Sequence, residues 1–379
     1  MKSHLLCAFV ALLLCAALIV TPSARSEELT SIRTTSSSIA IKNLNFLIQR
    51  AELQVSAAPH APPVVAAYLD VLLMRVSLLN TFDDFHRAVQ VTEELIRGLP
   101  KDPFARIQSA RVMQTLHRFS EALVVLNRAS GLAKALPEEA QSRLQRELDL
   151  QFVTIKLARN EIEQALLLLE SLKARGVDTT RLSVLFAAAY RSQGKLEAAD
   201  QALVNSLKQW DRVTPFTVAW VSFQRGEVWV GVDDSRAQSR YKDALHFLPE
   251  YVTASVHLAE LKQKSGETKA AIELLKPLAA DQDPEPAGRL AEFFAVNGDT
   301  RQSQIYRDIA LNGWQSLLDA YPLTFADHGA EFWLGAGGDP ELALEWAQKY
   351  YQNQPTARAK ALLTEAVRAI DALRLEQAE

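Results

Sequence analysis

A short helical phrase recurs along the chain. In its clear copies, an alanine is followed four residues later by a large apolar residue, and three residues after that by a second apolar or small residue. Weaker copies begin at Ala88, Ser303 and Ala343. This spacing places the three side chains on one face of an α-helix. The clearest copies follow a glutamate, and they are Ala122-Leu126-Ala129, Ala165-Leu169-Leu172 and Ala199-Leu203-Ser206. The pattern predicts a succession of amphipathic helices.

The first residues of these copies, called the anchor residues below, are regularly spaced. They are Ala88, Ala122, Ala165, Ala199, Ala237, Ala271, Ser303 and Ala343. Successive separations are 34, 43, 34, 38, 34, 32 and 40 residues, so three of the seven have one value. A period of this length is typical of a repeat architecture, in which each unit is stabilised by stacking on its neighbours.

The period and its small residues resemble the tetratricopeptide repeat (TPR) family, whose 34-residue unit is a pair of antiparallel helices. The resemblance extends from about Pro63 to the end of the chain. A glycine that ends the first helix, five residues before the anchor, is matched by Gly194, Gly266, Gly298 and Gly338. A small first-helix residue, twelve before the anchor, is matched by Ala110, Ala187, Ala259 and Ala291. The corresponding glycine position holds another residue in three units, namely His117, Asn160 and Val232.

The resemblance implies an all-α fold, a right-handed α-solenoid of antiparallel helix pairs. We predict a signal peptide over residues 1–26 and a flexible lead-in with one possible helix over 27–62. About eight TPR-like hairpins are expected over 63–355, followed by a C-terminal capping helix over 356–379. Since no hairpin can bury its apolar face alone, contacts are expected chiefly between hairpins adjacent in sequence.

The N-terminal segment predicts export. A basic start at Lys2 precedes an apolar run over residues 5–20, and Ala24 and Ser26 offer the small residues that precede a cleavage site. The expected location is therefore periplasmic or secreted, with an uncleaved N-terminal anchor as the alternative. Lipidation at Cys15 is less favoured because the residue before it is Leu14 rather than a small one.

Composition narrows the possible partners. Cys7 and Cys15 both lie in the predicted signal, so the processed chain has no disulfide and no thiolate metal site. Loss of Lys2 and Arg25 with the signal leaves 39 basic residues against 45 acidic ones, a net charge of −6. This balance predicts no nucleic-acid or anionic-lipid partner, and no membrane insertion is expected once the signal is cleaved.

Catalytic and cofactor motifs are sparse, which predicts a non-enzymatic protein with no cofactor and no metal. The closest approach to a metal motif is His328 with Glu331, three residues apart and without a third ligand nearby. The glycine-rich stretch over residues 335–338 coincides with an expected inter-helix turn and lacks the lysine and hydroxyl residue of a phosphate loop.

The resemblance further implies that the first helix of each unit lines a concave face that binds a protein or peptide. Positions expected to be exposed on that face are Arg111, Gln114, Arg191, Glu260, Gln263 and Glu292, unless they are only solvated helix faces. The family's carboxylate clamp is not reproduced, since its places are taken by Ile107, Arg111, Val184 and Ala188.

The predicted function is thus a non-catalytic scaffold of the cell envelope or periplasm that binds a partner protein or peptide. Envelope assembly, secretion and polysaccharide export are candidate processes. The alternative is an exported all-helical toroid enzyme acting on polysaccharide, a lyase or glycosidase. Such an enzyme would need Tyr, His, Arg or paired carboxylates around a central cleft.

Aromatic residues cluster over residues 210–229, where Trp210, Phe216, Trp220, Phe223 and Trp229 lie. They form either an aromatic surface that grips a peptide or the enlarged core of one irregular repeat. The spacing of Trp220 and Phe223, three apart on one helix face, favours the core.

Overall fold

The computed structural model describes residues 32–207, 213–279 and 283–378, so the predicted signal peptide and Trp210 lie outside the described residues. These residues form 18 α-helices and one short 3-10 helix, and no strand occurs among them. The predicted all-α solenoid is confirmed. All of the helices belong to one unit that begins at Thr35.

The first helix, α1, spans Ser37–Ala57, and eight consecutive hairpins follow it. Their helices are α2 Pro62–Leu79, α3 Asp83–Gly98, α4 Pro103–Thr115, α5 Phe119–Ala133, α6 Glu138–Ala158, α7 Ile162–Ala174, α8 Thr180–Ser192, α9 Leu196–Ser206, α10 Pro215–Trp229, α11 Asp234–Phe247, α12 Val252–Lys264, α13 Thr268–Leu275, α14 Glu285–Val296, α15 Thr300–Ala320, α16 Ala326–Leu334 and α17 Pro340–Asn353. The last helix, α18, spans Ala357–Ala378 and packs on α16 and α17.

Each anchor residue lies in the second helix of its hairpin, as the period predicts. The seven alanines have no exposed surface, and Ser303 is half-buried. In the second hairpin, Ala122 of α5 shares one apolar core with Ala110 of α4 and with Leu144 of α6. Only a small side chain allows two helices to approach this closely at their crossing point. The anchors therefore mark where one hairpin stacks on the next.

The turns inside the hairpins have a left-handed residue at the predicted place. Gly194, Gly266, Gly298 and Gly338 have φ values of 64 to 84°. His117 and Asn160 take the same conformation, with φ values of 54 and 59°. In five of these six turns, the next amide donates to the carbonyl five residues earlier, as in the Schellman ending of a helix. After Gly338, the Asp339 amide donates instead to the Trp333 carbonyl.

The fifth hairpin departs from the predicted register. The sequence places Val232 at the glycine position of this turn, but the left-handed residue is Gly231, with a φ of 80°. Asp234 accepts a hydrogen bond of 2.7 Å from the Gly231 amide. The prediction that this hairpin lacks the glycine was therefore wrong, because the turn is shifted by one residue rather than lost.

Substitutions at the left-handed positions test this turn geometry. Asn160→Gly is expected to raise the free energy of unfolding by about 0.5–1 kcal/mol, since glycine enters the left-handed region without a steric penalty. Gly266→Ala should lower it by about 1–2 kcal/mol. No atom lies within 4 Å of a Cβ built on Gly266, so the loss would come from the backbone angle alone. Urea denaturation checks both, and a less stable Asn160→Gly variant would contradict the assignment.

Contacts also join hairpins far apart in sequence, which the repeat pattern does not predict. The Asn80 side chain donates to Asp283 at 2.6 Å, and the Asn353 side chain donates to the His117 carbonyl at 2.8 Å. The Phe82 and Phe325 rings pack edge to face at 5.0 Å. The array therefore curves until its early and late hairpins touch, and stacking of sequence neighbours is only part of what holds it together.

Of the described helices, α2 alone is long and apolar enough to cross a membrane by length and composition. Its buried side chains, which include Val65, Leu69 and Leu72, lie where α2 packs against α1, α3 and α4. One face of α2 therefore forms part of the core.

Candidate partner-binding groove

The first helices of the early hairpins line an open, polar cavity of about 600 Å³. It is bordered by α2, α4, α6 and α8, through Asp70, Gln108, Arg111, Gln114, Thr115, Glu147, Gln151, Thr154 and Arg181. Two acidic residues balance two basic ones, and they are paired. Arg111 lies 2.5 Å from Asp70, and Arg181 lies 2.6 Å from Glu147. The wall is therefore close to neutral and rich in hydrogen-bonding groups.

Glutamine side chains form the floor of this cavity. Gln114 donates to the Gln151 carbonyl at 3.3 Å, and Gln151 donates to Glu147 at 2.9 Å. Among the described residues, the amide oxygens of Gln108 and Gln151 are buried and accept no hydrogen bond. A buried acceptor without a donor costs free energy, so a donor supplied at this wall would be stabilising.

A second cavity, of about 350 Å³, adjoins the first and is largely apolar. It shares Asp70, Arg111 and Thr115 with the polar cavity, and its other lining residues are Leu73, Met74, Ser77, Leu78, Phe216, Thr217 and Trp220. Its wall combines α2 with α10, which belongs to a hairpin four units later. The two cavities together are called the open groove below.

The aromatic cluster over residues 210–229 divides between core and groove. Phe216, Phe223 and Trp229 are buried, which agrees with the core interpretation. Trp220 is half-buried and lines the open groove. Trp210 lies outside the described residues.

Charged side chains connect the first helices of the later hairpins to one another. Arg191 of α8 lies 3.3 Å from Glu227 of α10. Arg289 of α14 lies 2.7 Å from Glu260 of α12 and 3.0 Å from Glu331 of α16. Burial alone would lower the pKa of Arg289, but Glu260, Glu292 and Glu331 raise it instead. These groups bind each other, and we call them the ion-pair network.

No family model matches this sequence, and no curated protein matches it significantly. Solved structures do. The human IFIT1 dimer with PPP-AAAA has a TM-score of 0.50 at 14% identity, covering 89% of this chain and 79% of that one. A tetratricopeptide repeat protein from Parabacteroides merdae has a TM-score of 0.41 at 15% identity, and the match covers 69% of this chain and 99% of that one. Pseudomonas aeruginosa pilF has a TM-score of 0.41 at 16% identity, and the match covers 60% of this chain and 97% of that one.

The chain has the tetratricopeptide repeat fold. The eight hairpins with their buried anchors are therefore TPR units, and the open groove lies on the first helices of the TPR array.

The structure separates the six sequence-predicted groove residues into two groups. Arg111 and Gln114 line the open groove. Arg191, Glu260 and Glu292 belong to the ion-pair network, where Glu292 lies 3.4 Å from Arg289. Gln263 lies on α12, the helix of Glu260. The two acidic residues of the predicted set, Glu260 and Glu292, are thus both bound to Arg289.

His328, considered above as a metal ligand, is held between two carboxylates in the TPR array. Its Nδ1 lies 3.2 Å from Glu285 and its Nε2 lies 3.9 Å from Asp327, while its ring stacks on Trp314. Burial would lower the pKa of His328, but Asp327 and Glu285 outweigh it and raise the pKa to about 10. Glu331 instead pairs with arginines. In the described part of the chain, no group of three His, Asp or Glu residues could hold a metal ion.

The cavity beside His328 has a volume of only about 10 Å³. That is room for about one water molecule.

The ion-pair network also contains a tyrosine, a histidine and a carboxylate, types that a polysaccharide lyase uses. The Tyr241 hydroxyl donates to Glu227 at 2.6 Å, and His257 Nδ1 lies 3.6 Å from the same carboxylate. Tyr241 has no exposed surface, and burial together with Glu227 raises the pKa of its hydroxyl. These properties suit a core hydrogen bond and oppose a role as an accessible base.

Arg358 of α18 joins the ion-pair network through Glu331, which lies 3.0 Å from it. Sequence reasoning did not predict that Glu227, His257, Arg289 and Arg358 form one network. A signal was present, because charged residues recur on successive first helices at about the repeat period. Pairing them requires knowing how far each helix is rotated, and the period does not give that rotation.

Proposed function

We propose that this TPR array is a non-catalytic scaffold, exported to the cell envelope or periplasm, that binds an extended segment of a partner protein in the open groove. The observation that carries the proposal is the junction of a polar and an apolar cavity on the first helices. The apolar N-terminal run, with a basic start and small residues before a cleavage site, supports export.

An extended polypeptide fits both cavities. Its main-chain amides and carbonyls can pair with the glutamines and the Asp70–Arg111 pair of the polar cavity. One bulky apolar side chain can enter the cavity lined by Leu73, Phe216 and Trp220. Buried aromatic contacts commonly dominate the affinity of such interfaces.

The balanced charge of the groove argues against a phosphate-rich ligand. The human structure with PPP-AAAA shares the fold at 14% identity. Here the two arginines of the polar cavity are already paired with Asp70 and Glu147. Hydrogen bonds and apolar burial, rather than electrostatic steering, should therefore supply the affinity.

Charge reversal at Arg111 tests the proposal. Tagged chain carrying Arg111→Glu, which places three carboxylates in the polar cavity, should capture the partner from envelope extract at least about tenfold less well than wild type. Quantitative mass spectrometry of the captured proteins measures the change.

The matched control is Arg128→Glu, which reverses an exposed charge on α5, the second helix of the same hairpin. It should leave capture unchanged. Equal capture by wild type and Arg111→Glu would show that the partner does not bind in the open groove. Arg191 is a poorer choice for this test, because its loss would strand Glu227 in the ion-pair network.

A further inference from the structure

Helix α1 has an apolar stripe on its outward face. Ile39, Phe46 and Leu53 are 53%, 63% and 73% exposed and are spaced seven residues apart. This spacing aligns them along one line of the helix. The opposite face, with Leu44 and Ile48, is buried. The stripe thus belongs to a rigid helix whose other side is already packed.

Basic residues flank this stripe. At 100° per residue, Lys42 and Arg50 each lie within about 40° of Phe46 around the helix. Among the described residues, neither forms an ion pair, and both are exposed. The single acid on the helix, Glu52, lies about 120° away from Phe46. The outward face is therefore both apolar and basic, on a chain whose net charge is −4.

A second copy of the chain is a poor partner for this face. In a parallel pairing of two α1 helices, Lys42 would meet Lys42 and Arg50 would meet Arg50. In an antiparallel pairing centred on Phe46, Ile39 would meet Leu53, but Lys42 would meet Arg50. Like charges placed opposite each other at a helix seam are destabilising.

We propose that the outward face of α1 binds an anionic lipid surface. A helix that combines exposed Phe and Leu with Lys and Arg lies in the membrane interface, where the apolar side chains enter the acyl boundary and the bases meet anionic head groups. The whole-chain charge that argued against lipid is an average, and it conceals this local patch.

The position of α1 in the chain supports this partner. Residues 21–36 separate the apolar run over residues 5–20 from the start of α1. Sixteen extended residues span at most about 55 Å, so an α1 tethered by that run stays close to the bilayer. After cleavage, the outward face of α1 would supply the membrane contact. This inference does not rest on the open groove.

Vesicle sedimentation tests the proposal with the processed chain, residues 27–379, which retains the whole unit that begins at Thr35. It should bind vesicles of 70% phosphatidylcholine and 30% phosphatidylglycerol and should not bind pure phosphatidylcholine. Lys42→Gln with Arg50→Gln should lower the partition coefficient roughly 25-fold, about fivefold for each base. Ile39→Ser, Phe46→Ser and Leu53→Ser together should lower it more than about 100-fold.

Two control variants make equivalent changes elsewhere. Val124→Ser with Leu167→Ser removes exposed apolar side chains from α5 and α7, and Arg128→Gln with Arg146→Gln removes two exposed bases from α5 and α6. Both should bind the vesicles like wild type. All the substituted residues are exposed, and unchanged circular dichroism will show that the fold is retained.

Absence of binding to the anionic vesicles, or full binding by the Ile39, Phe46 and Leu53 variant, would overturn the proposal. Sedimentation equilibrium without lipid measures whether the chain forms a dimer. A dimer that this triple variant converts to monomer would assign the face to a second copy and would also overturn it. Either failure would leave the groove experiment unaffected.

Discussion

Replacing Asp200 with alanine is expected to lower the free energy of unfolding by about 3–5 kcal/mol, the cost of stranding a buried charge. Asp200 of α9 accepts two hydrogen bonds from Arg225 of α10, at 2.6 and 3.1 Å. The Arg225 side chain is 1% exposed, so its guanidinium would lose its carboxylate without gaining water. Equilibrium urea denaturation followed by circular dichroism gives the change.

The double variant Asp200→Leu with Arg225→Met is the control. Removing both charges together leaves none stranded, so it should recover most of the lost stability. A loss below about 1 kcal/mol for Asp200→Ala would show that this pair does not join the fourth and fifth hairpins as the structure indicates. A double variant as unstable as the single one would assign the loss to packing instead.

Enlarging an anchor residue should also be costly. Ala122→Leu is expected to lower the free energy of unfolding by about 1–3 kcal/mol, because a fully buried alanine is replaced by a side chain with no space to enter. Ala110 and Leu144 pack in the same core, so the strain would reach α4 and α6. Urea denaturation again measures the change.

Asn127→Leu is the matched control, since it adds a leucine to an exposed position of the same helix. It should change stability by no more than about 0.5 kcal/mol. Equal effects at the two positions would show that the anchor does not mark a close helix crossing.

The sequence predicts the hairpins well because the features that define them are local. A small side chain is needed wherever two helices cross closely, and a left-handed residue is needed wherever the first helix ends. Both needs recur once per unit, and they appear as the anchor spacing and as Gly194 or Gly266. The turns in which His117 and Asn160 stand at the glycine position keep the same left-handed geometry.

The sequence does not predict how the array curves. The Asn80–Asp283 and His117–Asn353 contacts join residues more than 200 positions apart. They arise from small rotations between successive hairpins that accumulate along the chain. The repeat motif does not predict the total rotation. The same curvature brings Phe216 and Trp220 against α2, which creates the apolar cavity.

The candidate site was only partly predictable for a related reason. First-helix positions can be counted from the anchors, and this count finds Arg111 and Gln114. Whether such a side chain is free or bound to the next helix depends on the charges facing it. Glu260 and Glu292 both lie close to Arg289, so the count alone overstates the accessible surface.

The most direct test of the proposed groove is site-specific photocrosslinking in intact cells. A photoreactive residue at Thr115, between the two cavities of the open groove, should form a covalent adduct with the partner. The same residue at Gln263, on α12 beside the ion-pair network, should form none. Adducts from Gln263 but not from Thr115 would contradict the account.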